Sequence, residues 1–282
     1  MRSSNPVFTR SEGFNGRGSG TQTSTSGVTY PGYGTPPPPG YGDEYGQPQG
    51  GPQVDQGRMT IDTVVQKTGI SLGVVVLVAA ATWFLTGDIE PESIGTLYVL
   101  GLVGALVGFG LSMVNSFKRV VSPALVLAFA VAEGVFVGAF SKALEYQFGD
   151  GLVVGAVLGT LAAVAGTLAA YKFFDIQVTA KFRKFVIAAM FGFVALSLLD
   201  LVLSFFGSAV GFNGFGTLGL IMSVVGLAIG IFMLILDFDF IERGIAAGLP
   251  EVESWRAAFG LTVTIVWIYI EILRILAILR GD

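Results

Sequence analysis

The sequence contains no cysteine and no histidine. Without cysteine the chain can form neither a disulfide nor a thiol nucleophile, and Cys/His metal sites are excluded. A serine hydrolase with a histidine base is excluded as well. General acid–base catalysis would have to use carboxylates, tyrosine or lysine. These absences disfavour catalysis, and we predict that the protein is not an enzyme.

Charged residues are scarce. They make up 13% of the chain, whereas a soluble domain carries about 25%. Hydrophobic residues make up 52%, and the mean hydropathy is +0.73. The net charge is −4, and no basic run is long enough for nucleic-acid binding. This composition predicts an integral membrane protein whose surroundings are the lipid bilayer, with no nucleic-acid partner.

The polar residues are concentrated at the start of the chain. Residues 1–57 are rich in Gly, Pro, Ser, Thr, Gln and Tyr, and such a segment buries too little apolar surface to offset its ordering entropy. We predict a disordered cytoplasmic tail over 1–57 and a transmembrane domain over 58–282. A docking segment for a partner domain is the alternative for the tail. No cleavable signal is expected at its start, so the first apolar helix would direct insertion.

Seven stretches are long and apolar enough to cross a bilayer as helices, which requires about 20 residues each. The sequence therefore predicts an all-α, seven-helix membrane bundle. Several helices carry glycines four residues apart, a spacing that lets helix backbones approach closely in lipid. The predicted spans are Val64–Leu85, Ile94–Val114, Pro123–Leu144, Leu152–Lys172, Phe185–Phe206, Thr217–Asp237 and Ala257–Leu279.

The basic residues between spans indicate orientation. Lys118 and Arg119 follow the second span, and four more basic residues are found around the end of the fourth, namely Lys172, Lys181, Arg183 and Lys184. The loop after the first span is acidic instead. Because loops rich in Lys and Arg stay in the cytoplasm, we expect a multi-pass protein of the cell membrane with its N-terminus inside and its C-terminus outside.

Ionisable residues inside the spans are costly in lipid and commonly functional. Several have two interpretations. Glu271 and Arg274 share a helix face and could simply neutralise each other, Asp237 could cap the sixth helix at the interface, and Asp200 could bond to a neighbouring helix. The residues concerned are Glu133, Asp200, Asp237, Glu271 and Arg274.

The functional interpretation is a group of buried carboxylates. Two carboxylates close together in a low dielectric cannot both ionise cheaply, so they share a proton and titrate as a unit. Loss of that proton would make them repel each other, which is a physical basis for a pH-sensitive gate. Carboxylate oxygens are also the hard ligands that Ca²⁺ prefers.

Several segments of the chain resemble one known family. Ile235-Leu-Asp-Phe-Asp-Phe-Ile-Glu closes the sixth span, and Ile268-Tyr-Ile-Glu-Ile-Leu-Arg-Ile-Leu lies in the seventh. Ser122-Pro-Ala and Ala132-Glu-Gly-Val-Phe-Val-Gly belong to the third. In this order, with seven spans, they are similar to the Bax inhibitor 1/YccA-like family, the proteins with the transmembrane Bax inhibitor motif.

This resemblance implies a bundle with the last helix at its centre and, by analogy with some bacterial members, a pH-sensitive calcium leak. It also implies a paired-carboxylate sensor on the sixth and seventh helices, with Asp237 as one member. Glu271 falls where the family has its second aspartate. The resemblance therefore makes Asp237 and Glu271 the candidate pH sensor and Ca²⁺ site. Some members place in the second helix an acid that latches to a nearby arginine, and here that helix has no charge. The supporting candidates are Glu133, Arg274, Asp200, Asp239 and Arg119.

Two functions follow as hypotheses. The first is a proton-sensitive leak or channel for cations, with Ca²⁺ as the ion and no cofactor. The second is a protein that transports nothing and instead modulates other membrane proteins, such as membrane proteases, through its helices and tail.

Overall fold

The computed structural model describes residues 57–87, 89 and 94–281. In this part of the chain, seven α-helices form a bundle that confirms the predicted all-α membrane fold. Apart from Gly57, the predicted tail lies outside the described residues. The helices are α1 Ile61–Leu85, α2 Ile94–Phe117, α3 Pro123–Phe148, α4 Leu152–Phe173, α5 Ala180–Phe205, α6 Thr217–Ala246 and α7 Ser254–Gly281, and a 3₁₀ turn, Glu251–Glu253, precedes α7.

Each of the seven helices is long and apolar enough to cross a membrane. Their outward faces carry large apolar side chains, such as Leu77, Phe109 and Leu158, which are 71%, 57% and 62% exposed. A soluble protein rarely leaves so many large apolar side chains on its surface. These faces are therefore the lipid-facing surface of a multi-pass membrane protein.

All seven helices extend at least slightly beyond the predicted spans, and α5 and α6 extend furthest at one end, by five and nine residues. Helix α5 begins at Ala180, with the Thr179 hydroxyl accepting a hydrogen bond from the Phe182 amide, and α6 continues past Asp237 to Ala246. The added turns are polar, which is why hydropathy alone placed them outside the spans. They remain helical because charged residues from the two helices pair with one another at this end of the bundle.

Helix α7 lies at the centre of the bundle, as the family resemblance implied. It packs against α1, α3, α4 and α6. Apolar residues on different sides of the helix are fully buried, among them Ala258, Ile268, Leu273 and Ala277. A central helix has no lipid-facing side, so its polar side chains must find partners within the protein.

Glycines on α3 and α2 bring α1, α2 and α3 into backbone contact. A Cβ added at Gly138 would lie 2.5 Å from the Ala79 carbonyl oxygen of α1, and one at Gly104 would lie 2.8 Å from the Phe136 amide nitrogen of α3. Such close approach is the use of glycine that membrane helices favour. The predicted role of these glycines is confirmed at both positions.

The turn between α3 and α4 joins three helix ends. Its Gly149 and Gly151 have φ values of 98° and 82°, a backbone conformation that side chains disfavour. The Glu145 carboxylate at the end of α3 accepts hydrogen bonds from the amides of Gly151 and Val153 at 3.0 and 2.8 Å. Arg280 of α7 donates to the carbonyl oxygens of the turn, so the end of α7 is fixed to α3 and α4.

We expect Gly138→Ala to lower the free energy of unfolding by about 1–3 kcal/mol, because its methyl group would overlap the backbone of α1. Gly166→Ala is the matched control, since a Cβ there meets no atom within 4 Å. Alanine at that position should be neutral or stabilising. Thermal unfolding in detergent measures both, and equal stability of the two variants would contradict the close packing.

Candidate ion site

A row of five residues on α7 faces α6. The spacing alternates between three and four residues, which keeps them on one side of the helix. We call this row the polar seam: Gly260, Thr264, Trp267, Glu271 and Arg274. We name the end of the bundle at which the chain enters α1 the N-terminal end, and the opposite end the far end.

Asp237 lies on α6 opposite the first part of the seam. The Thr264 hydroxyl donates a hydrogen bond to its Oδ2 at 2.6 Å, and a Cβ at Gly260 would lie 3.3 Å from its Oδ1. Asp237 is half-buried and lies about two and a half turns before the end of α6. It therefore does not cap α6 but contributes a carboxylate to the interior of the α6–α7 contact.

Glu271 occupies a second position on the seam, closer to the far end. It is 5% exposed, and its Oε2 lies 3.4 Å from Nη1 of Arg274. Its Oε1 fills the space that the missing side chain of Gly226 leaves on α6, 2.6 Å from where a Cβ would be. The predicted ion pair between Glu271 and Arg274 is thus present, though its distance is long for a charge-assisted hydrogen bond.

The structure does not bring Asp237 and Glu271 together. Asp237 is level with Thr264, and Glu271 lies two turns, or about 10 Å, further along α7. Ca²⁺ binds its oxygen ligands at about 2.3–2.6 Å, so one ion cannot contact both carboxylates in this arrangement. The neighbour that α7 provides for Asp237 is a hydroxyl, not a second carboxylate.

Trp267 separates these two positions. Its indole Nε1 donates a hydrogen bond to the Gly226 carbonyl oxygen at 3.0 Å, and its ring packs against Phe193 of α5 with centroids 5.4 Å apart. A Cβ at Gly230 would lie 3.1 Å from the indole. A bulky, well-held side chain therefore lies between Asp237 and Glu271.

The loop of residues 206–216, between α5 and α6, covers the far end of the seam. Asp200 holds it: Oδ1 accepts hydrogen bonds from the amides of Val210 and Gly211 at 2.7 and 3.0 Å, and Oδ2 from Asn213 at 2.8 Å. Arg274 donates to the Phe212 carbonyl oxygen at 3.0 Å. The partners of Asp200 in the described part of the chain are backbone amides of this loop, and not the neighbouring helix that one interpretation of the sequence proposed.

Asp239 joins α5 to α6 at the N-terminal end. Its carboxylate pairs with Arg183 of α5 at 2.9 Å and with Arg243 of α6 at 2.6 Å. A cavity of about 420 Å³ adjoins it, lined in part by Asp175 and Glu242. Both oxygens of Asp239 are engaged by arginines, so it supports the α5–α6 contact and does not face α7.

The remaining supporting candidates lie away from the seam. Glu133 is half-buried at the α2–α3 contact, where its Oε2 lies 2.9 Å from the place of a Cβ on Gly108. Arg119 is exposed, and its carbonyl oxygen accepts a hydrogen bond from Arg256 at 2.8 Å. Neither residue contacts Asp237 or Glu271 by any hydrogen bond or ion pair found in the described part of the chain.

A clamp at the N-terminal end ties the start of the bundle to the α6–α7 loop. The Met59 amide donates a hydrogen bond to the Leu249 carbonyl oxygen at 2.8 Å. The Glu251 amide donates a second one to the Gly57 carbonyl oxygen at 2.6 Å. Lys67 of α1 then pairs with the Glu251 carboxylate at 2.8 Å. The residues that lead out of the predicted tail are thereby attached to the loop that carries α6 into α7.

Sequence reasoning missed four residues of this region: Thr264, Trp267, Ser223 and Phe212. The first two share the helix face of Glu271, so the spacing of three and four residues around that acid could have found them. Ser223 lies three residues before Gly226 on α6, so these two residues also share a helix face. Phe212 takes part through its backbone carbonyl, which no sequence pattern marks.

Comparison with known proteins supports the resemblance. The family model described as Bax inhibitor 1 like matches residues 5–281. An uncharacterized protein of Chlamydia muridarum (strain MoPn / Nigg) is 30% identical over 119 residues, which are 42% of this chain and 47% of that protein. The chain therefore spans about half the length of this curated relative.

We expect Asp200→Asn to loosen the loop over the far end of the seam. An asparagine keeps one acceptor oxygen, so at least one of these hydrogen bonds to a charged group is lost, at a cost of about 1.5–3 kcal/mol. Hydrogen exchange at the amides of Val210, Gly211 and Asn213 should accelerate. Asp150→Asn, at an exposed position of the α3–α4 turn, is the control; equal exchange in both variants would refute the role of Asp200.

Proposed function

The chain belongs to the Bax inhibitor 1-like family, and we propose that it is a proton-sensitive cation leak whose ions move along the polar seam. Ca²⁺ is the ion we favour. Asp237 and its partner Thr264 would control the entry of cations from the N-terminal end, and Glu271 would provide a second binding position for the cation. Proton and ion movement would therefore depend on the contact between α6 and the central helix α7.

One observation carries this proposal: of the four acids Asp200, Asp237, Asp239 and Glu271, Asp237 is the least compensated. Asp239 has two arginines, Glu271 has Arg274, and Asp200 has three backbone amides. The described residues give Asp237 one neutral hydroxyl, from Thr264. An ionisable group inside a membrane span without a fixed counter-charge is a functional candidate by default.

The protonation state of Asp237 would set the affinity of the seam for cations. A protonated carboxyl is neutral and can remain against Thr264 at little electrostatic cost. A deprotonated carboxylate in the same place is an uncompensated charge, and an entering cation relieves its cost. We therefore expect the leak to increase as the pH rises through the titration of this group.

Transient binding fits this geometry better than a resting metal site. Among the described residues, no group of three or more His, Cys, Asp or Glu side chains could hold a metal ion. Ca²⁺ takes six to eight oxygen ligands, so at Asp237 it would keep much of its water shell. An ion held this weakly can leave again, which conduction requires.

The orientation proposed for this function places the N-terminal end in the cytoplasm and the far end outside, in the cell membrane. The N-terminal end carries the basic side chains Arg183, Arg243 and Lys67. Lys118 and Arg119 between α2 and α3, and the lysines at the adjoining ends of α4 and α5, add more. Basic residues concentrate on the cytoplasmic side of membrane proteins. Asp237 would then face the cytoplasmic proton concentration.

We expect Asp237→Asn to abolish the pH dependence of Ca²⁺ influx into proteoliposomes that contain a Ca²⁺ dye, at pH values on both sides of neutrality. Because asparagine cannot carry a negative charge, influx should stay at the low level that the wild type shows in acid. Thr264→Val should shift the pH response without removing it, since it deletes the hydrogen bond that Thr264 donates to the Asp237 carboxylate.

Thr262→Val is the matched control for Thr264→Val. Thr262 is fully buried on the same helix, and among the described residues its hydroxyl bonds only to the Ala258 carbonyl oxygen, one turn earlier. Its replacement should leave the pH response unchanged. Wild-type liposomes that stay impermeable to Ca²⁺ at every pH would overturn the leak, and an Asp237→Asn variant with wild-type pH dependence would overturn the assignment of Asp237.

A second candidate function is supported by the N-terminal clamp. Met59 is 2% exposed and contacts Gly244 near the end of α6, and its amide bonds to Leu249. A partner bound to the residues that precede Gly57 would therefore act on the α6–α7 loop through the backbone. This attachment supports a protein that exchanges signals with other membrane proteins, such as membrane proteases, instead of transporting ions.

If the second function is correct, deletion of residues 1–56 should abolish any effect of the protein on a membrane protease reconstituted in the same liposomes. The clamp begins at Gly57, so this deletion should leave the bundle equally stable in a thermal unfolding assay. A tail-dependent effect on the protease without Ca²⁺ flux would favour the second function. An effect that survives the deletion would exclude the tail as its source.

A further inference from the structure

A cavity of about 420 Å³ lies at the N-terminal end of the bundle, where α4 ends and the chain turns into α5. We call it the α4–α6 cavity, because its walls come from the end of α4, the connection to α5 and the last turns of α6. Its ionisable walls are Tyr171, Lys172, Asp175, Asp239 and Glu242. None of these residues belongs to the polar seam, so the proposed ion path leaves the cavity without a role.

Opposite charges face the α4–α6 cavity without neutralising one another. In the part of the chain that the structure describes, neither Lys172 nor Asp175 takes part in an ion pair. Glu242 accepts a hydrogen bond on Oε2 from the Tyr171 hydroxyl at 2.8 Å, and no described residue bonds to its Oε1. One ammonium and two carboxylates of the cavity wall are therefore open to a ligand.

Acidic and basic residues balance around the cavity. Asp239 is bound by two arginines, so it does not add to the attraction for a cation. The three basic and three acidic residues concerned are Lys172, Arg183 and Arg243, and Asp175, Asp239 and Glu242. Binding sites are electrostatically complementary to their ligands. Separated charges of both signs with no net charge therefore fit a zwitterion better than a simple cation or anion.

The backbone at Asp175 is unusual in the described part of the chain. Its φ of 45° lies in the left-handed region, and no other non-glycine residue described has a positive φ. Such conformations are disfavoured for residues with a side chain and are concentrated at ligand-binding and functional positions. Here the conformation occurs at the residue whose carboxylate lines the same cavity as Lys172.

The cavity borders the lipid-facing surface of the bundle. Phe173 and Phe174, directly after Lys172, are 83% and 78% exposed, and Phe185 near the start of α5 is 62% exposed. Helices α4 and α5 each pack against α6 but, within the described residues, make at most marginal contact with each other. The opening between α4 and α5 therefore gives lipid chains access to the rim of the cavity.

We propose that the α4–α6 cavity binds the headgroup of a zwitterionic phospholipid with a primary ammonium, an ethanolamine phospholipid, whose acyl chains lie between α4 and α5. The ammonium donates hydrogen bonds to Asp175 and Glu242, and Lys172 pairs with the phosphate. A choline headgroup has no N–H to donate and is bound by aromatic cages instead. Among the described walls the aromatic residue is Tyr171, whose ring already packs against Phe238.

Such a lipid would connect α4 and α5 at a place where the protein itself does not. Its headgroup would bridge the end of α4, the connection to α5 and the end of α6, all of which line the cavity. The site depends on these walls alone, so it stands whether or not the protein conducts ions.

Native mass spectrometry of the full-length protein tests the proposal without any substitution. Detergent-solubilised protein is titrated with phosphatidylethanolamine, phosphatidylcholine and phosphatidylglycerol of identical acyl chains. Phosphatidylethanolamine should bind at least several-fold more tightly, because the choline lipid lacks N–H donors and the glycerol lipid lacks the ammonium. Equal binding of the ethanolamine and choline lipids would overturn the proposal. So would equally tight binding of glycerophosphoethanolamine, which has the headgroup without the chains and would make this a site for a soluble ligand.

Two sets of variants locate the site. Asp175→Asn combined with Glu242→Gln should reduce the preference for the ethanolamine over the choline lipid to near one. Asparagine tolerates the left-handed backbone as aspartate does, and glutamine keeps an acceptor oxygen for the Tyr171 hydroxyl. Lys172→Met should weaken binding of all three phospholipids several-fold, since each carries the phosphate.

The chain offers matched controls at the same end of the bundle. Asp62→Asn removes an exposed acid at the start of α1. Lys118→Met removes an exposed lysine that, like Lys172, lies at a helix end beside an exposed phenylalanine, the 80% exposed Phe117. Both should leave lipid binding unchanged. If Lys118→Met weakens binding as much as Lys172→Met, or if the double variant keeps the wild-type preference, the attraction is a general one of the membrane surface and the proposed site is wrong.

Discussion

Every polar side chain inside the bundle must be satisfied by protein, because the surrounding hydrocarbon offers no hydrogen bonds. This constraint applies most strongly to helix α7, because it lies at the centre of the bundle. The acids on α6, on α7 and beneath the α5–α6 loop meet the constraint in different ways. Asp239 uses two arginines, Asp200 uses loop amides, and Glu271 uses one distant guanidinium. Asp237 has one hydroxyl, so it is the least compensated of these four acids.

Hydropathy could predict the seven spans because a bilayer requires long apolar helices, whatever their packing. It placed the end of the sixth helix at Asp237, whereas α6 continues to Ala246. The reason is that hydropathy treats each charge as exposed to lipid. Asp239 and Arg243 lie four residues apart on the same helix and bind each other, and Arg183 of α5 completes the group. Paired in this way, charges can extend a helix instead of ending it.

The candidate site was only partly predictable. Individual acids are visible in an apolar sequence, but which groups they meet depends on the register between helices. The family resemblance paired Asp237 with Glu271, yet α7 presents Thr264 to Asp237 and places Glu271 opposite Gly226. A threonine in an apolar helix is unremarkable by composition. The position of the α5–α6 loop over the far end could not be predicted from the sequence, because Asp200 binds this loop through backbone amides.

Glycines explain how polar groups fit into such a closely packed contact. Their four-residue spacing predicted close helix approach, which the α1–α3 contact confirms, but on α6 they have another effect. Gly226 leaves the space that the Glu271 carboxylate fills, and Gly230 leaves space for the Trp267 indole. On α7, Gly260 does the same for Asp237. Glu271, Trp267 and Asp237 therefore each lie opposite a glycine of the neighbouring helix. The register that brings these side chains into the α6–α7 contact also provides the space that they fill.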